Sequence, residues 1–123
     1  MLKTRIIPVL LFKDTGLVKG EGFNSWRRIG AAMQAVRVFN LRGVDELVFL
    51  DITATAQQRP PDIEQISELA AECFMPLAVG GGIRNLTDIE NLLRAGADKV
   101  VLNSCLFTQP QIVAEAARAQ AAK

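Results

Sequence analysis

Two stretches of this chain repeat one another, and the repeat narrows the folds open to it. Arg42-Gly43-Val44-Asp45-Glu46-Leu47-Val48 matches Ala95-Gly96-Ala97-Asp98-Lys99-Val100-Val101. In each, a helical pattern stops at a glycine and an apolar strand starts a few residues later, so one pair of β-α units echoes the other. The rest of the sequence keeps the same beat. Arg5 to Phe12 is a near-continuous apolar run and is expected as strand one, buried on both faces. Glu46 to Ile52 reads as strand two, Leu77 to Val79 as strand three and Lys99 to Leu102 as strand four.

Helical signals fill the intervals. From Trp26 to Leu41, Ile29, Met33, Val36 and Phe39 recur at helical spacing, with Gly43 as the stop. Pro60-Pro61-Asp62 opens a second helix along Ile63, Ile66, Leu69, Ala70 and Cys73, which Pro76 ends. Asn85 with Asp88 caps a third, carrying Ile89, Leu92 and Leu93 and closed by Gly96. Thr108 is expected to cap a last helix along Ile112, Val113, Ala116 and Ala119. The long first loop, with Leu17-Val18-Lys19-Gly20 and Phe23, reads as a short excursion or a hairpin and a candidate flap.

Strictly alternating strands and helices predict an α/β fold with parallel strands and right-handed crossovers, one (β/α)4 domain over residues 1–123. A closed barrel of this kind has eight strands and about 250 residues. Four units therefore make half of a TIM barrel, with open edges and an apolar inner face, and self-association into a homodimer or larger homo-oligomer is expected. A flavodoxin-like sheet is the alternative, although no fifth strand is visible.

Composition removes several classes of function. The chain carries 14 basic and 13 acidic residues, one Trp and no Tyr, so it lacks the concentrated positive face and aromatic platform that nucleic acid requires. With no histidine, and with Cys73 and Cys105 isolated in apolar surroundings, neither a metal nor a cofactor is expected, and the thiols read as reduced ones of a cytoplasmic protein. The N-terminal apolar run is too short to span a bilayer and is broken by Pro8, so no membrane role is expected.

The chemistry-bearing motif is Val79-Gly80-Gly81-Gly82-Ile83. A strand that ends in consecutive glycines lets backbone N–H groups approach an anion closely, and the fourth strand brings Asn103 and Ser104 to the same rim. Gly80, Gly81, Gly82, Asn103 and Ser104 are thus candidate ligands of a phosphate or phosphorylated small molecule. The structural alternative is a tight strand-to-helix turn that needs positive φ.

Taken with Arg5-Ile6-Ile7-Pro8, Lys13-Asp14, Val18-Lys19-Gly20 and Asp45 to Ala54, these motifs resemble the cyclase subunit of imidazole glycerol phosphate synthase, a histidine-biosynthesis lyase and barrel of two duplicated halves. The resemblance covers essentially the whole chain and matches the N-terminal half. It implies phosphate binding at Gly82, Asn103 and Ser104, a loop lysine at Lys19, and an active-site aspartate at Asp51, the last two being weak catalytic candidates. At the opposite rim it implies an ammonia gate of Arg5, Glu46 and Lys99, with Asp98 facing a glutaminase subunit. A salt-bridge layer closing the barrel bottom is the alternative for the first three.

One departure matters most: the family's catalytic aspartate on strand one falls at Leu11 here. Leucine exchanges no proton, so full cyclase activity by this chain alone is not expected. Leu11, Trp26-Arg27-Arg28 and Cys73-Phe74-Met75-Pro76 look more like the paralogues associated with surface-polysaccharide biosynthesis, which implies, as the alternative function, ammonia delivery for sugar amidation. A non-catalytic phosphate-binding scaffold is the remaining alternative.

Overall fold

The structure, a computed structural model, describes residues 3–14, 16–22 and 24–121; Thr15 and Phe23 of the first loop lie outside them. The chain runs β1 (Val9–Lys13), β2 (Gly16–Glu21), β3 (Asn24–Gly30), α1 (Ala32–Arg42), β4 (Leu47–Asp51), α2 (Ile63–Glu72), β5 (Leu77–Gly80), α3 (Leu86–Ala95), β6 (Lys99–Val101), α4 (Cys105–Thr108) and α5 (Ile112–Ala121). One sheet holds the strands in the order β3-β2-β1-β4-β5-β6. β1, β4, β5 and β6 are parallel, with Val9 opposite Val48, Leu47 opposite Leu77 and Gly80 opposite Val101.

That order runs in one direction without reversal. Right-handed crossovers then place every connecting helix on the same face, as in a barrel wall, whereas a doubly wound sheet reverses at a switch point. The four parallel units are the (β/α)4 half barrel that the repeat predicts.

The repeat itself has a physical reason. Gly43 takes up φ +65° and its N–H bonds back to Asn40 and Phe39 carbonyls, ending α1. Two residues later Asp45 clamps the segment that leads into β1: its N–H donates to the Ile6 carbonyl at 3.0 Å and its carboxylate accepts the Ile6 N–H at 2.6 Å. Asp98 does the same to Leu77, both bonds at 2.8 Å. Each Gly-x-Asp thus stops a helix and sets the register of the strand that follows.

Alternation, rather than burial on both sides, governs the strands. Leu10, Phe12, Leu47, Phe49, Leu77 and Val79 face the helices and pack with Val36, Ile66, Leu69, Ile89, Leu92 and Ile112. On the other face Val9 is 54% exposed, and Leu11, Val48, Leu50 and Ala78 are only half-buried. The expectation of strand one buried on both faces is corrected here: Arg5 to Pro8 precede the strand, and no layer among the described residues covers the inner face.

The first loop differs more. Trp26 to Gly30 form a strand, not the opening turns of a helix, so β2 and β3 make an antiparallel hairpin at the sheet edge. Arg27, Arg28 and Ile29 are exposed there, and the apolar spacing of Ile29 with Met33 is coincidental because α1 starts only at Ala32. Register shifts between Leu17 and Val18 and between Lys19 and Glu21 twist this ribbon. Thr108 is likewise the last residue of α4, with its hydroxyl donating to the Cys105 carbonyl, and does not cap α5. Asp62 and Asn85 do cap, accepting the N–H groups of Gln65 and Asp88 at 3.1 and 2.9 Å.

Candidate functional site: an anion cup at the strand ends

Parallel strands present their C-terminal ends at one rim, and the loops that follow β4, β5 and β6 meet there. They enclose a cavity of about 510 Å³ lined by Asp51, Thr55, Gly81, Gly82, Asn103 and Ser104, over an apolar floor of Leu50, Val101 and Leu102. The two central glycines are required by close approach. Gly81 sits at φ +104°, and a Cβ there would lie 2.2 Å from the Asp51 carbonyl oxygen. Gly82 sits at φ +77°, and a Cβ would lie 2.7 Å from both the Ala54 methyl and the Arg59 carbonyl oxygen. The loop from β4 to α2 is therefore pressed directly onto the glycine backbone and walls the cavity.

Outside helices and strands, no backbone hydrogen bond among the described residues is donated by Gly81, Gly82, Asn103 or Ser104. Those N–H groups, with the Asn103 amide and Ser104 hydroxyl, form a polar rim of the type that cradles an anion. Gly80 lies one residue back, on the inner face of β5 between Leu50 and Val101. Four of the five sequence-derived candidate ligands thus line one cavity, and the fifth supports it.

Asp51 also reaches the cavity, but its carboxylate is well occupied. Oδ1 accepts from the Thr53 N–H and hydroxyl, both at 3.1 Å. Arg59 straddles the group, with Nη1 3.3 Å from Oδ2 and Nη2 3.4 Å from Oδ1. Sequence spacing gave no sign of Arg59; its one signal was position, after Gln57-Gln58 and before the Pro60-Pro61 helix opening. Lys19 is elsewhere. It is exposed on β2, opposite Arg27, beside a separate cavity of about 240 Å³. Leu11 lies on β1 beside Leu50, facing the uncovered side of the sheet.

The opposite rim carries a buried acid between two cations. Glu46 is bonded by Lys99 Nζ at 2.6 Å and by Arg5 Nη2 at 2.7 Å. The Lys99 hydrogen bond, with the charges of Lys99 and Arg5, holds the Glu46 carboxyl below its ordinary range against the opposing effect of burial. Asp98, on the same rim, spends one carboxylate oxygen on Leu77 and is otherwise exposed.

Comparison with known proteins gives this geometry a lineage. The family model described as "Histidine biosynthesis protein" matches residues 5–123. The chain belongs to the histidine biosynthesis protein family. Relatives within the family include the imidazole glycerol phosphate synthase subunit HisF of Caulobacter vibrioides, 47% identical over 97% of this chain. The HisF subunit of an Exiguobacterium species is 48% identical over 95% of it. A Campylobacter jejuni protein provisionally named imidazole glycerol phosphate synthase subunit hisF2 is 47% identical over 94%. Each match takes in 46% of the relative, so the chain spans about half the length of the curated relatives that it matches. No helix among the described residues is long and apolar enough to cross a membrane.

Proposed function

We propose that this chain is a cyclase-subunit-like half barrel that binds a phosphate, or a phosphorylated small molecule, at the ends of β5 and β6, and that does not carry out full cyclase chemistry by itself. The observation that carries the reading is the convergence of Gly81, Gly82, Asn103 and Ser104 on one cavity. Backbone N–H groups, an amide and a hydroxyl can donate to several phosphate oxygens at once, and their fixed placement spares the reorganisation that flexible donors require.

Binding and catalysis separate at Leu11. A ring closure fed by ammonia needs groups that take up and release protons at the reacting atoms, and a leucine beside Leu50 offers none. The Asp51 carboxylate is already engaged by Thr53 and Arg59. Activity and ligand identity in the imidazole glycerol phosphate synthase lineage are therefore assigned to a barrel completed by a second half. The exposed inner face at Val9 and Val101 supports completion by a second copy, giving a homo-oligomer in the cytoplasm.

A second reading rests on the opposite rim. Glu46 held between Arg5 and Lys99 is kept where Leu11 removes an acid, which favours an ammonia-conducting paralogue, docked to a glutaminase and serving sugar amidation. Leu11→Asp, combined with a supplied C-terminal half, separates the two. Appearance of cyclase turnover supports the first reading, and a folded, inactive product refutes its catalytic part. Calorimetric titration with inorganic phosphate tests the cup: saturable binding that Ser104→Ala with Asn103→Ala removes is expected, and unaltered binding refutes it.

A further inference from the structure

The cup has an electrostatic contradiction built into it. Among its lining residues the sole ionisable side chain is Asp51, an anion, 8% exposed, in a cavity whose donors suit anions. Uncompensated, a negative charge on a residue of the cavity wall would disfavour a bound phosphate.

Compensation comes from Arg59. Its Nη1 and Nη2 lie 3.3 and 3.4 Å from the two Asp51 oxygens, Nη2 also donates to the Thr53 hydroxyl at 3.1 Å, and Nε donates to Gln57 Oε1 at 2.6 Å. The side chain is still 36% exposed, and its own backbone carbonyl forms part of the wall against Gly82. Bonds of 3.3 and 3.4 Å to the carboxylate are long for a charged pair, so the guanidinium is held there loosely rather than consumed. The string continues to the hairpin, since Gln57 Nε2 donates to Asp14 Oδ1 at 3.3 Å in the β1–β2 turn.

We propose that Arg59 is the counter-ion of the cup and that Asp51 sets the affinity of the cup for anions by holding part of that positive charge away from the ligand. Arg59 is thus a positioning residue for bound phosphate, and Asp51 a selector against anions that bring no compensating donor. The inference rests on the cup reading above and deepens it.

The test is calorimetric titration of inorganic phosphate into the chain, Asp51→Asn, Arg59→Gln, Arg59→Lys and the double variant Asp51→Asn with Arg59→Gln, each checked for folding by thermal melting. Asp51→Asn keeps the shape and removes the charge, so phosphate should bind about three- to thirtyfold tighter. Arg59→Gln should weaken binding by a similar factor, Arg59→Lys should fall between, and the double variant should return to within about threefold of the parent because the two groups act as a pair. If Arg59→Gln fails to fold, Asp51→Asn and Arg59→Lys decide the matter. Phosphate binding that Asp51→Asn leaves unchanged or weakens overturns this inference and leaves the cup standing. Absence of phosphate binding in every folded variant overturns the cup and the inference together.

Discussion

Gly81→Ala is the perturbation whose cost the structure fixes most tightly. Two separate penalties act there. An L-residue at φ +104° loses roughly 1–2 kcal/mol on steric grounds alone. The new methyl would also sit 2.2 Å from the Asp51 carbonyl oxygen, where ordinary contact begins at 3.4 Å, and the obstacle is backbone that cannot rotate aside. Displacing a packed loop by about 1 Å costs about a further 1–3 kcal/mol. A loss of about 2–5 kcal/mol follows, a large part of the ~5–15 kcal/mol that a small domain has. Gly43→Ala is the internal control. Gly43 also has positive φ, at +65°, but a Cβ there meets nothing within 4 Å, so only the conformational cost of about 1 kcal/mol remains. Urea unfolding of both variants beside the parent, with slopes compared to establish a common unfolded state, measures the difference. Gly81→Ala losing no more stability than Gly43→Ala would refute the claim that the β4–α2 loop is pressed onto the glycine backbone.

Three further outcomes follow from the same geometry. Glu46 has its carboxyl lowered by Lys99 and Arg5, so its stabilising effect is full above about pH 4.5 and fades as pH falls through the lower folded-state value. Glu46→Gln should therefore flatten the acid limb of stability against pH, and an unchanged limb would show the ion pairs idle. Val9→Glu places a charge on the exposed inner face; light scattering should show the parent as an oligomer and the variant as a monomer with little change in melting temperature, and a monomeric parent contradicts self-association. Asp62→Ala removes the acceptor for the Gln65 N–H and should cost about 1 kcal/mol in urea unfolding, whereas no loss would mean that α2 does not depend on its cap.

Much of the half barrel was legible because its signals are local and redundant. Glycine stops, Asp62 and Asn85 caps and apolar runs each act within a few residues, and the Gly-x-Asp echo encodes one register-setting clamp twice. The hairpin was not legible. Arg27 to Gly30 are held by pairing with Leu17 to Lys19, a partner choice that no helical or alternating pattern within 26–30 expresses. The one-sided burial of strand one was hidden for a related reason: apolar residues at Val9 and Leu11 look the same in sequence whether or not a layer covers them.

The candidate site divides along the same line. Gly81, Gly82, Asn103 and Ser104 were readable because strand ends that are neighbours in a parallel sheet must share a rim. Arg59 was not, since its role depends on how the β4–α2 loop folds back on Asp51. Lys19 carries the opposite lesson, as a motif position that the hairpin holds on a separate surface, away from the cup.

Titration of the ¹⁵N-labelled chain with inorganic phosphate, followed by the amide resonances of Gly81, Gly82, Asn103 and Ser104, tests the central claim most directly. Saturable shifts confined to these amides and the β4–α2 loop are the predicted result. Amides at this rim that stay unmoved while phosphate rises to millimolar levels, or shifts that spread without saturation over the whole surface, would contradict it.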